Sequence, residues 1–216
     1  MSTWSSGYNT DLGYTFGFYR ELSPEWLNFV ACTKSVSPPM GAWRYLELGC
    51  GQGYGLLLLA ALNPDHDFLG IDFNPVHISH ARNLAQAAGL QNVRFEEADF
   101  LALAQTWPTA WGQFDYITAH GIYSWLDQQV CEAIVQTIQA SAAPGALVYL
   151  SYNTLPGWVS SYPMQHLMRL WQKTESLESV SAIETGINRL QAITEAEVGM
   201  SKILPGMNAM LEKVGT

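Results

Sequence analysis

From Arg44 onward, short apolar runs of strand length alternate with longer segments whose apolar positions recur every three or four residues. Tyr45-Leu46-Glu47-Leu48 is strand-like, and Gly55–Leu62 is helical. Asp67–Ile71 predicts a second strand, followed by a helix over Pro75–Ala88 with proline at its start and Gly89 just past its end. Val93–Glu97 and Phe114–Ala119 predict two more strands. A long helix over Leu126–Ala142 is stopped by Pro144-Gly145, and Ala146–Tyr152 is a very apolar final strand. Parallel neighbours need crossover connections, and parallel sheets are covered on both faces. The expected fold class is therefore α/β, a doubly wound, mostly parallel sheet.

The flanks read differently. Residues 1–20 are rich in aromatics and glycine, and Ser23-Pro24-Glu25 opens a helix with Ser23 as its N-cap. Ser37-Pro38-Pro39-Met40-Gly41 reads as a linker. Beyond Trp158, helices are expected over Met164–Lys173, Ser176–Ala196 and Ile203–Val214. No strand is expected after residue 152, so the sheet should lack a closing antiparallel hairpin. The expected organisation is an N-terminal aromatic lid and helix (1–42), a core (43–158) and a helical extension (159–216).

A chain of 216 residues, 48% hydrophobic and 13% charged, is a folded protein rather than a disordered one. About 70% of its extended surface can be buried, enough for one core without a metal or disulfide staple. Ten Lys and Arg against nineteen Asp and Glu give a net charge of −9, and no two basic residues are adjacent. Binding an extended polyphosphate needs clustered cations, so a nucleic-acid partner is not expected. Cys32, Cys50 and Cys131 include no CxxC pair, which favours reduced thiols in a cytoplasm and gives no zinc motif. The longest apolar run, Leu56–Leu62, is too short to cross a bilayer, and the first residues lack the blocks of a signal peptide. A cytoplasmic protein without a membrane partner is expected.

The candidate chemistry begins where the first strand runs into Glu47-Leu48-Gly49-Cys50-Gly51-Gln52-Gly53. Glycines at a strand-to-helix turn permit positive φ and let a ligand approach the main chain, at the carboxyl end of the strands where open α/β sheets bind ligands. A dinucleotide fingerprint would need glycine at position 54, which is tyrosine, and no Gly-Lys-Ser/Thr follows to make a P-loop. A nicotinamide dehydrogenase therefore fails at Tyr54.

With its acidic-x-Gly-x-Gly-x-Gly spacing, the segment resembles the first motif of the class I S-adenosylmethionine-dependent methyltransferases. The resemblance covers about Trp43 to Trp158. It implies that Gly49, Cys50, Gly51 and Gly53 cradle the cofactor and that Glu47 helps to position its methionine part. Asp72 ends the second strand, where a carboxylate accepts from both hydroxyls of a ribose diol; its alternative role is as N-cap of the helix at Pro75. Phe73 is placed to pack on adenine. Asp99, followed by Phe100, stands where the family's acidic residue accepts from the adenine amino group, or else only caps a short helix.

A narrower similarity lies in Ala119-His120-Gly121-Ile122-Tyr123-Ser124-Trp125 together with Ser151-Tyr152-Asn153-Thr154-Leu155-Pro156-Gly157-Trp158. The pair resembles a bacterial methyltransferase group whose longer members carry a C-terminal regulatory domain and which includes protein lysine methyltransferases. The fourth strand does not end in the Asn/Asp-Pro-Pro-Tyr of adenine-amino enzymes or the Pro-Cys of cytosine C5 enzymes, which argues against DNA-base methylation. The resemblance implies methyl transfer from S-adenosylmethionine, with S-adenosylhomocysteine as product, to a protein side chain or small molecule. The alternative is a catalytically silent cofactor-binding module. His120, Tyr123, Tyr152 and Asn153 are the candidate catalytic residues, and His120, beside the expected methyl group, is also a candidate cofactor-binding residue; the plainer roles are a hydrogen-bonded strand-end histidine and a structural turn. Cys50 reads as a small apolar filler, because Glu47 would raise its pKa. Tyr8, Tyr14, Phe16 and Tyr19 either fold over the cofactor or pack on the sheet's edge. His77 and His80 are expected on an exposed helix face, with no third ligand spaced to complete a metal site.

Overall fold

The computed structural model of the protein describes residues 17–159, 162–175 and 179–196. The expected helix over 203–214 and the aromatics Tyr8, Tyr14 and Phe16 lie outside the described residues. Two compact units divide the chain, Met1–Tyr152 and Asn153–Thr216.

The first unit alternates helices and strands: α1 (Pro24–Thr33), β1 (Arg44–Leu48), α2 (Tyr54–Leu62), β2 (Asp67–Asp72), α3 (Pro75–Ala87), β3 (Val93–Glu97), α4 (Phe100–Gln105), β4 (Phe114–Ala119), α5 (Gln128–Ser141) and β5 (Ala142–Leu150). The strands form one sheet in the order β3-β2-β1-β4-β5, and every neighbouring pair is parallel. The order reverses between β1 and β4, so their carboxyl ends border the crevice where an open α/β sheet takes a ligand.

Alternation along the strands divides two buried layers. Tyr45 and Tyr116 pack on one face with Leu56, Leu59, Ala60, Ile78 and Ala81 of α2 and α3. Leu46, Leu48, Ile117 and Ala119 pack on the other with Phe100, Leu103, Val130, Ala133 and Ile134 of α4 and α5. Because side chains point alternately across a strand, Glu47 falls on the Tyr45 side although it is surrounded by apolar positions. Local signals set the helix starts. Ser23 caps α1 by accepting from Trp26 N–H (3.2 Å), and Asn74 caps α3 by accepting from Val76 N–H (2.9 Å).

The last strand departs from expectation. β5 begins at Ala142, ahead of Pro144 and Gly145, and the β4–β5 register shifts between Phe114 and Tyr116. Pro144-Gly145 therefore forms an irregularity within the strand, with Gly145 at φ 85°, rather than a break before it. Among the described residues β5 pairs on one side only, and such a strand tolerates a proline. No strand follows Leu150 among the described residues, and none of their helices is long and apolar enough to cross a membrane.

The second unit contains α6 (Tyr162–Glu175) and α7 (Ser179–Glu195). They meet through buried Met164 and Leu190, with Leu167, Met168 and Trp171 beside them. Arg189 pairs with Glu175 at 2.6 and 3.0 Å and lies over the Trp171 ring.

Gly70, in the middle of β2, sets how closely α2 and the turn before it approach the sheet. A Cβ there would stand 2.7 Å from Phe95 Cδ1 and 2.9 Å from both Cys50 Sγ and Leu56 Cδ2. Overpacking of this kind costs about 1–3 kcal/mol. Gly70→Ala should therefore lower the urea midpoint at unchanged slope by that amount; an unaltered midpoint would show that the layer is loosely packed.

Candidate active site

After Leu48 the chain turns through Gly49, Gly51 and Gly53 at φ 72°, 54° and 74° before entering α2. Two positions show why only glycine serves. A Cβ on Gly49 would stand 2.8 Å from Ile122 Cγ2, and one on Gly53 would stand 2.6 Å from Phe95 Cε1. The turn is fastened to β2 by main-chain and side-chain bonds. Gly49 and Cys50 N–H both donate to Ile71 O, at 2.8 and 3.0 Å. Gly51 N–H donates to Asp72 Oδ2 at 2.9 Å, and Asn74 N–H donates to Asp72 Oδ1 at 2.9 Å. Asp72 thus holds the turn and the start of α3 together. Asn74 rather than Asp72 caps α3, because Asn74 immediately precedes the first helical residue, so the alternative role of Asp72 as that cap falls away.

The turn walls a pocket lined by Glu47, Gly49, Cys50, Gln52, Gly53, Tyr54 and His120, with Gly17, Tyr19 and Leu22 on its other side. The Arg20–Leu22 turn is anchored from below. Buried Tyr45 donates from its hydroxyl to Leu22 O (2.7 Å) and meets Thr118 Oγ1 at 2.9 Å, a contact that Thr118 donates. A second cavity, of about 140 Å³, opens at the amino-terminal edge of the sheet beside Arg44, Asp67, Asn92 and Arg94. The crevice at the carboxyl edge is the functional candidate, since it is lined by the glycine turn and the buried Glu47.

Glu47 is only 8% exposed, and burial, reinforced by the Asp72 charge, pushes its carboxyl up to about 8. A desolvated acid facing a pocket is relieved by a cationic ligand, which favours its charged form. Burial, with the same two acids, raises the Cys50 thiol, which disfavours the thiolate that a nucleophile needs.

His120, just past β4, is held between two aromatic rings. Its Nδ1 is 3.3 Å from Tyr149 Oη, and the Tyr19 ring lies 4.2 Å from its own. Burial lowers its pKa, opposed by the nearby Glu21 carboxylate. Tyr149 has no motif to mark it. Only the pairing of Thr118 with Tyr149 across β4 and β5 brings it beside His120.

The other expected residues are more dispersed. Phe73 is half-buried after Asp72. Asp99 is exposed at the end of β3 and caps α4 through Leu101 N–H at 2.9 Å. Phe100 is buried with Leu103 and Ile134 in the layer on the opposite face and does not line the pocket. Tyr123 lies in a short 3₁₀ turn with its ring 6.2 Å from that of Tyr152, which is exposed. Asn153 is exposed and opens the second unit. His77 corrects an expectation: it is buried, with Nδ1 3.5 Å from Asp72 Oδ1, because position 77 shares the inward stripe of α3 with Ile78, Ala81 and Ala85. Among the described residues no three His, Cys, Asp or Glu side chains gather as a metal site.

A family model described as a methyltransferase domain matches residues 41–197. The chain belongs to that family. Its core is a class I S-adenosylmethionine-dependent methyltransferase domain, and the glycine turn and buried acid fit such a cofactor. The uncharacterized protein sll1526 of Synechocystis sp. is 40% identical over 215 residues, which cover 98% of this chain and 42% of that protein. Demethylmenaquinone methyltransferase of Thermus thermophilus is 37% identical over 114 residues, 52% of this chain and 49% of the enzyme. The structure of PKMT2 from Rickettsia typhi in complex with AdoHcy superposes with a TM-score of 0.73 at 25% identity, covering 94% of this chain and 38% of that one. The chain thus spans about half, or less, of the length of these relatives.

Glu47 makes the ligand-free domain sensitive to pH. Between its unfolded value of 4.5 and its folded value of about 8, the folded carboxyl keeps a proton that the unfolded chain releases. The contribution of Glu47 to stability therefore falls as pH rises through that window, by up to about 1.4 kcal/mol per unit, and is constant outside it. Glu47→Gln should flatten this slope and be the more stable form at pH 8 in urea denaturation. Parallel pH profiles for the two proteins would show that Glu47 is ionised in the fold.

Proposed function

We propose that this protein transfers the methyl group of S-adenosylmethionine to an amine, in first place the side-chain amine of lysine on a protein, with His120 taking the proton that the amine must lose. The observation that carries the reading is the His120 imidazole, kept in its neutral form by burial, between Tyr19 and Tyr149 at the rim of the glycine pocket. The structural likeness to PKMT2 with AdoHcy supports the same cofactor pocket.

Bound S-adenosylmethionine supplies a methyl group on a cationic sulfur that departs as a neutral sulfide, so no acid is required at the leaving group. Gly49, Gly51 and Gly53 would take the cofactor against the main chain, with Asp72 toward its ribose hydroxyls and Glu47 toward its cationic end. Phe73 and Asp99 are the candidates around adenine. The burial of Phe100 leaves it only a supporting part behind Asp99. Tyr19 and the Arg20–Leu22 turn would shield a bound cofactor from water, which strengthens every charge interaction inside the pocket.

An ammonium group with a pKa of ~10.4 is almost wholly protonated at pH 7, and making it neutral costs about 4.6 kcal/mol. A base at hydrogen-bond distance lowers that barrier, typically by 10²- to 10⁴-fold in rate. His120 fits, since Tyr149 orients one ring nitrogen and leaves the other for the substrate. Tyr123, Tyr152 and Asn153 are proposed to line the acceptor's approach. Glu21, close enough to act on the charges of both His120 and Tyr149, supports a cationic acceptor. We further propose that residues 43–158 form the cofactor-binding core, with Tyr19 and the Arg20–Leu22 turn as its cover.

Incubation with methyl-labelled donor and a lysine-rich protein should give labelled protein, stoichiometric with S-adenosylhomocysteine. His120→Ala should lower kcat by about 10²–10⁴, well beyond any loss of donor affinity from its place in the pocket wall. Donor binding without label in any amine acceptor would favour the silent module. Unchanged kcat in His120→Ala would remove His120 as the base.

A further inference from the structure

We propose that His77 is a positioning residue for the cofactor site. As the neutral imidazole with its proton on Nδ1, it holds the Asp72 carboxylate in register for the ligand's sugar. The proposal rests on the reading that Asp72 faces the ribose hydroxyls.

The tautomer follows from three side chains in sequence. Asn74 Oδ1 is committed to Val76 N–H at 2.9 Å, so the amide nitrogen of Asn74 is the group that faces His77. That nitrogen is 3.5 Å from His77 Nε2. An amide NH₂ only donates, so Nε2 must offer a lone pair, and a neutral imidazole with its lone pair there carries hydrogen on Nδ1. Nδ1 in turn stands 3.5 Å from Asp72 Oδ1. An imidazolium would set N–H against NH₂ at Nε2. The order Asn74, His77, Asp72 therefore directs one donor at the carboxylate.

This arrangement is buried throughout, with Asp72 6%, Asn74 8% and His77 8% exposed. Asp72 already accepts Gly51 N–H on Oδ2 and Asn74 N–H on Oδ1, so main-chain bonds fix its position. Each carboxylate oxygen keeps a second lone pair, so Oδ1 can accept one further donor. His77 supplies it from one turn inside α3, on the side of Asp72 that Asn74 also borders. Both 3.5 Å contacts are longer than a closed hydrogen bond, and contacts in ligand-free sites commonly tighten in the complex. The logic is that of an outer partner orienting an inner ligand-binding group. It gives a function to a buried histidine that the methyl-transfer step does not use.

The test has two arms on the full chain. First, long-range proton–nitrogen correlation spectra of histidine-labelled protein at pH 8 report the tautomer, with His77 assigned by the signal missing from His77→Gln. The expected pattern is hydrogen on Nδ1, the reverse of free neutral histidine; hydrogen on Nε2, or an imidazolium pattern, would overturn the proposal. Second, His77→Phe should weaken S-adenosylhomocysteine about tenfold and raise the donor KM with kcat within about twofold, since one hydrogen bond to a charged group is at stake. His77→Asn, whose amide nitrogen replaces Nδ1, should recover most of that loss. The loss should vanish with the 2′,3′-dideoxy analogue. An equal loss with both ligands would mark His77 as merely structural and overturn the proposal. Wild-type protein that binds the dideoxy analogue as well as the parent would overturn the ribose reading and the proposal with it, whereas the wrong tautomer overturns the proposal alone.

Discussion

The rest of the structure depends on the fastening of a glycine turn to a buried carboxylate. Gly51 and Asn74 each give Asp72 one main-chain hydrogen bond, so a single side chain ties the end of β1 to the start of α3. A buried carboxylate without such partners is costly, and a turn with three left-handed glycines has little intrinsic stiffness. Each corrects the other. The acid is satisfied by the turn's N–H groups, and the turn is given one shape by the acid. Gly70 permits this by leaving room for Cys50, Leu56 and Phe95 above β2.

Around that fixed point the pocket is assembled from alternation. Glu47 shares a face with Tyr45, so the same strand that anchors the Arg20–Leu22 turn through Tyr45 also presents a desolvated acid to the crevice. Thr118 of β4 completes the Tyr45 contact, and two residues later the chain delivers His120 to the rim. A cationic, adenosyl-bearing ligand suits this combination of main-chain cradle, raised carboxyl and aromatic cover. The methyltransferase family match agrees with it.

Much of this was legible in the sequence, for local reasons. Glycines at 49, 51 and 53, the proline-led helices and the strand-length apolar runs each encode geometry within a few residues. What was not legible depends on tertiary placement. Pro144-Gly145 reads as a stop, yet in a strand paired on one side it is absorbed within β5. Tyr149 meets His120 only because β4 and β5 pair in one particular register. His77 reads as exposed because a histidine suits a helix surface, but the inward stripe of α3 extends to it. Phe100 follows Asp99 directly, yet the cap that Asp99 makes turns the next residue into the opposite layer.

The central claim is that this crevice holds an adenosyl sulfonium or its sulfide product rather than a dinucleotide. Titration calorimetry of the full chain with S-adenosylhomocysteine and, separately, with NAD tests it most directly. Saturable one-to-one binding of S-adenosylhomocysteine, with no heat from NAD, is the predicted result. Binding of NAD with S-adenosylhomocysteine inert would contradict the account.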